Sequence, residues 1–369
     1  MRHHKQFNSR MSRPISAQIN LAALRHNLSI VRQYAKHSRI MAVIKANAYG
    51  HGLIRVAKTL HEIDAFALLE LEAAIQLREI GIHQPILLLE GFFSEADLIS
   101  IDHYQLDTVI HHPEQIAMLA KHRANKKINL FLKINTGMNR LGLAPREGTK
   151  AIHTLKNLSH VGEITLMTHL ACADDPAADR EINDQLNIFS EILNITRLPC
   201  SLANSAAIIQ HPQTHQDWVR PGIMLYGASP LIHKTATELD LKPVMTVSSK
   251  IIALQQLSTN DKVGYGGTFR AQQPMQIGIV AAGYADGYPR HAQTGTPIIV
   301  NGQRTRIVGR ISMDMLTVDL TGIMNVTVGS PVILWGDHLP IEEVAKAAGT
   351  ISYELFCSLS SRVKVITTE

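Results

Sequence analysis

The segment AVIKANAYGHG (residues 42–52) runs through apolar residues, presents one amine, Lys45, and then places Gly50 and Gly52 in quick succession. An ammonium at the end of a buried strand is costly to desolvate unless it is paired or neutralised. Two readings fit the segment alone. Either the head group escapes to water, or the amine waits at a pocket rim to condense with a carbonyl. Other polar residues interrupt apolar runs in the same way. Lys133 and Asn135 close INLFLKIN (128–135), His169 closes EITLMTHL (163–170), and Asn204 with Ser205 closes PCSLANS (199–205). Arg220 and Gly222 lie in WVRPGIMLYG (218–227). ANSAA and RPGI offer a hydroxyl and a glycine that lets backbone come close, which are the needs of a phosphate cradle. An amine on one side and a phosphate cradle on the other fit pyridoxal 5′-phosphate, which carries both an aldehyde and a phosphate. A phosphorylated-sugar aldolase with a Schiff-base lysine is the mechanistic competitor, and it has no need of a second domain.

The elements that must position these groups follow from periodicity. From residue 20, amphipathic helical segments such as LAALRHNLSIVRQYA alternate with short apolar runs. Strands are predicted at 41–46, 65–69, 85–90, 107–110, 128–135, 163–170, 199–205 and 218–227. Continuous apolar strands imply burial on both faces and a parallel sheet, and eight βα units imply a (β/α)8 TIM-type barrel. In such a barrel, functional groups sit at the C-terminal strand ends, where these polar residues fall. A doubly wound open sheet is the competing fold, but no Gly-x-Gly-x-x-Gly follows an early strand.

Past Pro243 the texture becomes strand-rich, with Gly turns and Asn301–Gly302, and only IEEVAKAAG reads as a helix. The expected organisation is a flexible tail over 1–10, an α/β barrel domain over 11–240, and a mainly β domain over 241–369. The 369 residues are 45% hydrophobic, enough for two sizeable cores. A net charge of +5 without a basic block, and 5% aromatic residues, argue against nucleic-acid binding. Cys172, Cys200 and Cys357 form no framework or zinc motif, so a reducing cytoplasm is expected. The 19 histidines include no metal-binding cluster. No apolar stretch reaches membrane-spanning length, and no apolar signal core follows the basic start.

Together the motifs resemble those of the bacterial alanine racemases. AVIKANAYGHG is similar to that family's cofactor-lysine motif, and the likeness continues through KINTGMNRLG (133–142), THLACAD (168–174), NSAA (204–207) and VRPGIMLYG (219–227). It extends to VGYGGTF (263–269), GYADGYPR (283–290), GRISMD (309–314) and ISYE (351–354), in family order. The resemblance implies that Lys45 holds pyridoxal phosphate as an aldimine. It implies that Tyr49, Ser205, Gly222, Ile223 and Tyr353 bind the phosphate, that Arg220 faces the pyridine nitrogen, and that His169 and Asn204 surround the ring. Arg140 and the backbone at Met313 would receive the substrate carboxylate. Tyr265, from the partner subunit of a homodimer, would be the second catalytic base. Lys133 is often carbamylated in the family to steady the arginine matched by Arg140. Tyr284 and Tyr353 resemble an inner gate, with Asp174, Arg290 and Arg310 further out, while Cys172 occupies a variable gate position.

The implied activity is interconversion of L- and D-alanine by two bases on opposite faces, supplying D-alanine for peptidoglycan. A buried, desolvated Lys45 with a lowered pKa suits one base. Tyr265 starts from a pKa of about 10 and needs nearby positive charge or hydrogen bonds. Arg220 cannot give up its proton, so it would leave the pyridine nitrogen unprotonated and favour proton shuffling over loss of carbon dioxide. A barrel-type amino-acid decarboxylase, which usually presents an acid there, and a non-catalytic pyridoxal phosphate carrier are the alternatives.

Overall fold

The computed structural model describes residues 13–369. The expected tail over 1–10 lies outside these residues. Contacts divide the chain into one unit of Ala22–Lys242 and another of Pro243–Glu369 with the described residues up to Leu21.

The first strand among the described residues is β1 (Ser16–Asn20), which the sequence pattern does not reveal. It belongs to the second unit, antiparallel to β10 (Ser16 opposite Ser248) and parallel to the last strand (Ser16 opposite Lys364). Its partners lie more than two hundred residues along the chain, so no local pattern reveals it.

The first unit is a closed parallel barrel of eight strands. They are β2 (Arg39–Val43), β3 (Ala65–Leu68), β4 (Ile86–Leu88), β5 (Asp107–Ile110), β6 (Ile128–Lys133), β7 (Val161–Met167), β8 (Cys200–Asn204) and β9 (Trp218–Arg220). β9 closes on β2 through Trp218 opposite Arg39 and Val219 opposite Ile40. Closure excludes the doubly wound alternative. The strands are apolar because both faces are covered: Ala65, Phe66, Ala67 and Leu68 are all fully buried. Caps start some of the helices. The Ser94 hydroxyl accepts from the Asp97 N–H, while the Asp97 carboxylate accepts from the Ser94 N–H.

Several strands end earlier than expected. β2 stops at Val43, β6 at Lys133, β7 at Met167 and β9 at Arg220, so the polar residues stand at strand ends or in the loops just after them. The last run is short because Pro221 removes a ladder donor and Ile223–Tyr226 turns into a 3-10 helix.

The second unit is built on β10 (Met245–Leu257). β11 (Lys262–Val263) and β12 (Phe269–Arg270) form a separate pair. The rest of the sheet comprises β13 (Met275–Val280), β14 (Pro297–Val300), β15 (Gln303–Arg306), β16 (Leu316–Asp319), β17 (Pro331–Trp335) and β18 (Lys364–Thr368). The order is β15-β14-β17-β10-β1-β18, with β13 also on β10 and β16 on β13. Asn301 (φ 48°) and Gly302 (φ 75°) make the tight turn between β14 and β15 that the Asn-Gly pair foretells. The expected helix is Ile341–Ala348, and a second one, Ser352–Cys357, was not expected.

Candidate active site

Lys45 does not continue a strand. It opens a turn in which Ala46, Asn47, Ala48 and Tyr49 all take φ between 52° and 54°, the left-handed region. Left-handed backbone costs a non-glycine residue roughly 1–2 kcal/mol, so the turn needs outside support. Part comes from its own ladder, in which the N–H groups of Ala48, Gly50 and Gly52 donate to the carbonyls of Ile44, Ala46 and Asn47. The Asn47 side chain accepts from the N–H of Leu53 at 2.8 Å and so starts the helix Leu53–Thr59. Gly50 (φ 77°) and Gly52 (φ 97°) carry the chain out of the turn.

An aromatic stack anchors the same turn. The Tyr226 ring lies 4.7 Å from Tyr49 and 4.6 Å from His51. Its hydroxyl donates to the carbonyl of Val43, at the end of β2. Tyr49 is thereby buried beside the strand end that precedes Lys45.

The barrel rim is cationic. Arg220 is buried, and its Nη1 donates to Ser201 Oγ at 2.6 Å. Its Nη2 donates to the carbonyls of Thr168 at 2.8 Å and Leu202 at 3.3 Å, and reaches His169 Nδ1 at 3.4 Å. Burial pushes the guanidinium down to about 10, so its charge persists at neutral pH. Desolvation, followed by the positive charges of Arg220, Lys133, Arg140 and Lys45, holds His169 well below the usual histidine range. His169 is therefore a neutral acceptor toward Arg220.

Lys45 itself is half-buried, not buried as the sequence reading expected, because it stands past the strand end. Lys133, by contrast in position, ends β6 and is buried. Burial first, then Arg220, Arg140 and Lys45, push it down to about 8, opposed by Glu90. Lys45, Lys133, Arg140, His169 and Arg220 thus form one electrostatic group. Arg140 is exposed on the loop after β6.

Gly222, Ser205 and Tyr49 also converge. The Gly222 N–H donates to Ser205 Oγ at 2.8 Å. A Cβ on Gly222 would lie 2.6 Å from the Tyr49 hydroxyl, so any larger residue must displace that hydroxyl. Ile223 opens the adjacent 3-10 helix. Asn204 caps the helix Ser205–Gln210 by accepting from the Ala207 N–H, and it donates to the carbonyl of Leu170. Buried Gln185, missed in the sequence, ties two rim loops together. It donates to Thr136 Oγ1 and the His169 carbonyl and accepts from the Ala171 N–H.

Tyr265, Tyr284, Met313 and Tyr353 belong to the second unit. Tyr265, on the turn after β11, is 70% exposed in the single chain, and Met313 is 53% exposed. Gly264 and Gly266 of that turn lie against Arg310. Tyr284 and Met313 are neighbours, because the N–H groups of Tyr284 and Ala285 donate to the carbonyls of Ser312 and Met313. Arg290 is exposed. Tyr353 lies on the short helix Ser352–Cys357, whose following residue Ser358 donates to the Gly287 carbonyl.

Beneath these loops sits buried Asp286, another residue the sequence did not single out. Its carboxylate accepts from Arg13 Nη2, Arg362 Nε and the Gly283 N–H, each at 2.8 Å. Arg362 also pairs with Asp314, and Arg13 donates to the Asp314 carbonyl. Four charged residues from distant segments thus bind the loops that carry Tyr284 and Met313. Asp174 and Cys172 lie on the loops of the barrel unit. Among the described residues, no group of three or more potential metal ligands occurs, and no helix is long and apolar enough to cross a membrane.

A closed barrel with its polar groups at strand ends, followed along the chain by a mainly β unit, has the layout of a barrel enzyme. The alanine racemase N-terminal domain model matches residues 19–230, and the C-terminal domain model matches 244–367. The alanine racemase of Nitrosomonas eutropha is 61% identical over 358 residues, covering 96% of this chain and 99% of that protein. The catabolic alanine racemase of Salmonella typhimurium is 50% identical over 359 residues, covering 97% and 100%. The crystal structure of the biosynthetic alanine racemase from Pseudomonas aeruginosa shares 41% identity with a TM-score of 0.93, covering 97% of this chain and 100% of that one. The chain belongs to the alanine racemase family, a family of isomerases.

Proposed function

We propose that this chain interconverts L- and D-alanine with pyridoxal 5′-phosphate held by Lys45, and that it works as a homodimer. Full-length likeness to proteins named alanine racemase supports the substrate. The residues present fit the cofactor. The hydroxyls of Tyr49 and Ser205 and the backbone at Gly222 form a cradle that a Cβ would fill, and Lys45 supplies the amine. Ile223 and Asn204 complete the barrel side of this cradle, and Tyr353 is the phosphate ligand proposed from the second unit.

When bound, pyridoxal phosphate would supply the electron sink that acidifies the α-proton of an attached amino acid. The chain's own groups do the rest. Lys45 Nζ and Tyr265 Oη move the α-proton on opposite faces. Arg140 and the backbone at Met313 hold the substrate carboxylate. Arg220, with neutral His169 accepting from it, keeps positive charge near the site without offering an acid.

The observation that carries the reaction type is the set of partners around Arg220. A hydroxyl, two carbonyls and a neutral imidazole all accept from it. A guanidinium so held donates and does not release its proton; facing the ring of a bound cofactor it would offer no acid, which disfavours decarboxylation. Tyr265 is proposed to act on the partner's site, and its exposure in the single chain supports that reading. The product would serve peptidoglycan precursors. The three cysteines are free, which supports a cytoplasmic location.

The test is borohydride reduction of the purified protein, followed by peptide mapping. The cofactor is expected on Lys45, with L-alanine turned over in preference to serine, lysine and arginine. A label on Lys133 would overturn the assignment. A chromophore without racemisation would favour a carrier, and release of carbon dioxide would favour a decarboxylase.

A further inference from the structure

We infer that His51 is a positioning residue for the turn that presents Lys45 and Tyr49, acting through the proton on its Nδ1. The inference rests on the cofactor reading of that turn. Four successive left-handed residues without a glycine do not hold themselves, and the last two, Ala48 and Tyr49, are where His51 acts. Its Nδ1 donates to the carbonyl of Ala48 at 3.1 Å and to that of Tyr49 at 2.8 Å. Carbonyl oxygens only accept, so these contacts fix the proton on Nδ1.

The ring has no freedom to leave. It is fully buried, stacked on Tyr226, and its own carbonyl accepts from Arg55 Nη1 at 2.6 Å. Tyr226 stacks on Tyr49 as well and is bonded to the end of β2. One imidazole therefore links the left-handed backbone to the strand whose end places Lys45. Burial also pushes His51 down to about 4, which keeps the ring neutral at ordinary pH. The Tyr49 hydroxyl lies 2.6 Å from where a Cβ on Gly222 would fall, so a small backbone movement at residue 49 would open the cradle.

The test compares wild type, His51→Asn and His51→Phe. Asparagine carries an amide N–H close to the Nδ1 position and loses the ring. Phenylalanine keeps the ring and its stack and loses the donor. The readouts are the dissociation constant for pyridoxal phosphate, the induced circular dichroism of the bound cofactor, and the thermal midpoint of the apo-protein. His51→Asn is expected to bind within about threefold of wild type with unchanged dichroism. His51→Phe should bind roughly tenfold more weakly, with reduced dichroism, because a buried carbonyl loses its donor. Equal binding by His51→Phe and wild type would overturn the inference, as would equal loss in both variants. Should His51→Phe not fold, a stable His51→Asn protein with more than tenfold weaker binding would overturn it instead. A wild-type protein that takes up no cofactor would refute the cofactor reading itself, whatever the variants do.

Discussion

Gly222→Ala gives a direct measure of how tightly the proposed phosphate cradle is built. The new Cβ would lie 2.6 Å from the Tyr49 hydroxyl and 3.3 Å from its Cζ. Ordinary contact begins near 3.4 Å, so the hydroxyl must retreat by about 0.8 Å. It has little room to do so, because Tyr49 is buried, stacked on Tyr226, and carried by a left-handed turn. Inserting one methyl group into a packed site of this kind costs about 1–3 kcal/mol. Displacement of a phosphate-binding hydroxyl adds to that cost on the bound side. Pyridoxal phosphate affinity should therefore fall by roughly tenfold or more, while the apo-protein stays folded with a lowered melting temperature. Equilibrium dialysis and thermal melts measure the two effects separately. Unchanged cofactor affinity in Gly222→Ala would show that Tyr49 and Gly222 do not flank the phosphate.

Mixing inactive Lys45→Ala chains with inactive Tyr265→Ala chains should restore roughly a quarter of the sites after subunit exchange, if Tyr265 acts across a two-fold interface. Continued inactivity after demonstrated exchange would place Tyr265 in its own chain's site. Stability should also fall on acidification. His51 has a folded pKa of about 4, below the unfolded value of 6.5, so the unfolded chain binds the extra proton. That contribution is whole above pH 6.5 and is lost as pH falls through 4, a total of about 3 kcal/mol. Urea midpoints from pH 7 to 4 should decline less steeply in His51→Asn, and parallel declines would refute the assignment. Asp286→Ala should lower unfolding free energy by about 2 kcal/mol, since a buried carboxylate leaves two partly exposed arginines behind. It should also raise the KM for alanine by loosening the loops of Tyr284 and Met313. A stable variant with unchanged KM would show that the clamp does not position those loops.

The barrel was legible because burial on both faces leaves a plain mark. DTVI, a half-buried Asp107 followed by three buried residues, is β5 to the residue. The Asn301–Gly302 turn was equally readable, since its two positive φ values require those residue types. Strand ends were harder. INLFLKIN continues apolar beyond Lys133, yet the chain there turns to pair with the returning loop: the Asn135 N–H donates to the Leu143 carbonyl and the Leu143 N–H to the Lys133 carbonyl. β1 escaped because all its partners are distant in sequence. The left-handed turn escaped for a different reason. Ala46 and Ala48 are good right-handed residues, and the contacts that accompany the reversed hand include a stack on Tyr226, which is distant in sequence.

The placing of polar residues at strand ends was readable, as with Arg220 at the end of β9 and Ser205 just after β8. What periodicity cannot convey is the electrostatic company each residue keeps. Nothing in the spacing foretells that burial and the charges of Arg220, Arg140 and Lys45 push Lys133 down to about 8. The Asp286 clamp joins Arg13 to Arg362 across most of the chain length. No spacing rule finds such a cluster.

The central claim is proton exchange at the α-carbon of alanine without loss of its carboxylate. The direct measurement is incubation of the pyridoxal phosphate-loaded protein with L-alanine in deuterium oxide, followed by chiral chromatography and mass spectrometry. The account predicts D-alanine accumulating toward equal amounts of the two enantiomers, with deuterium at the α-carbon. Ethylamine and carbon dioxide, or L-alanine that stays unexchanged on a cofactor-loaded protein, would contradict it.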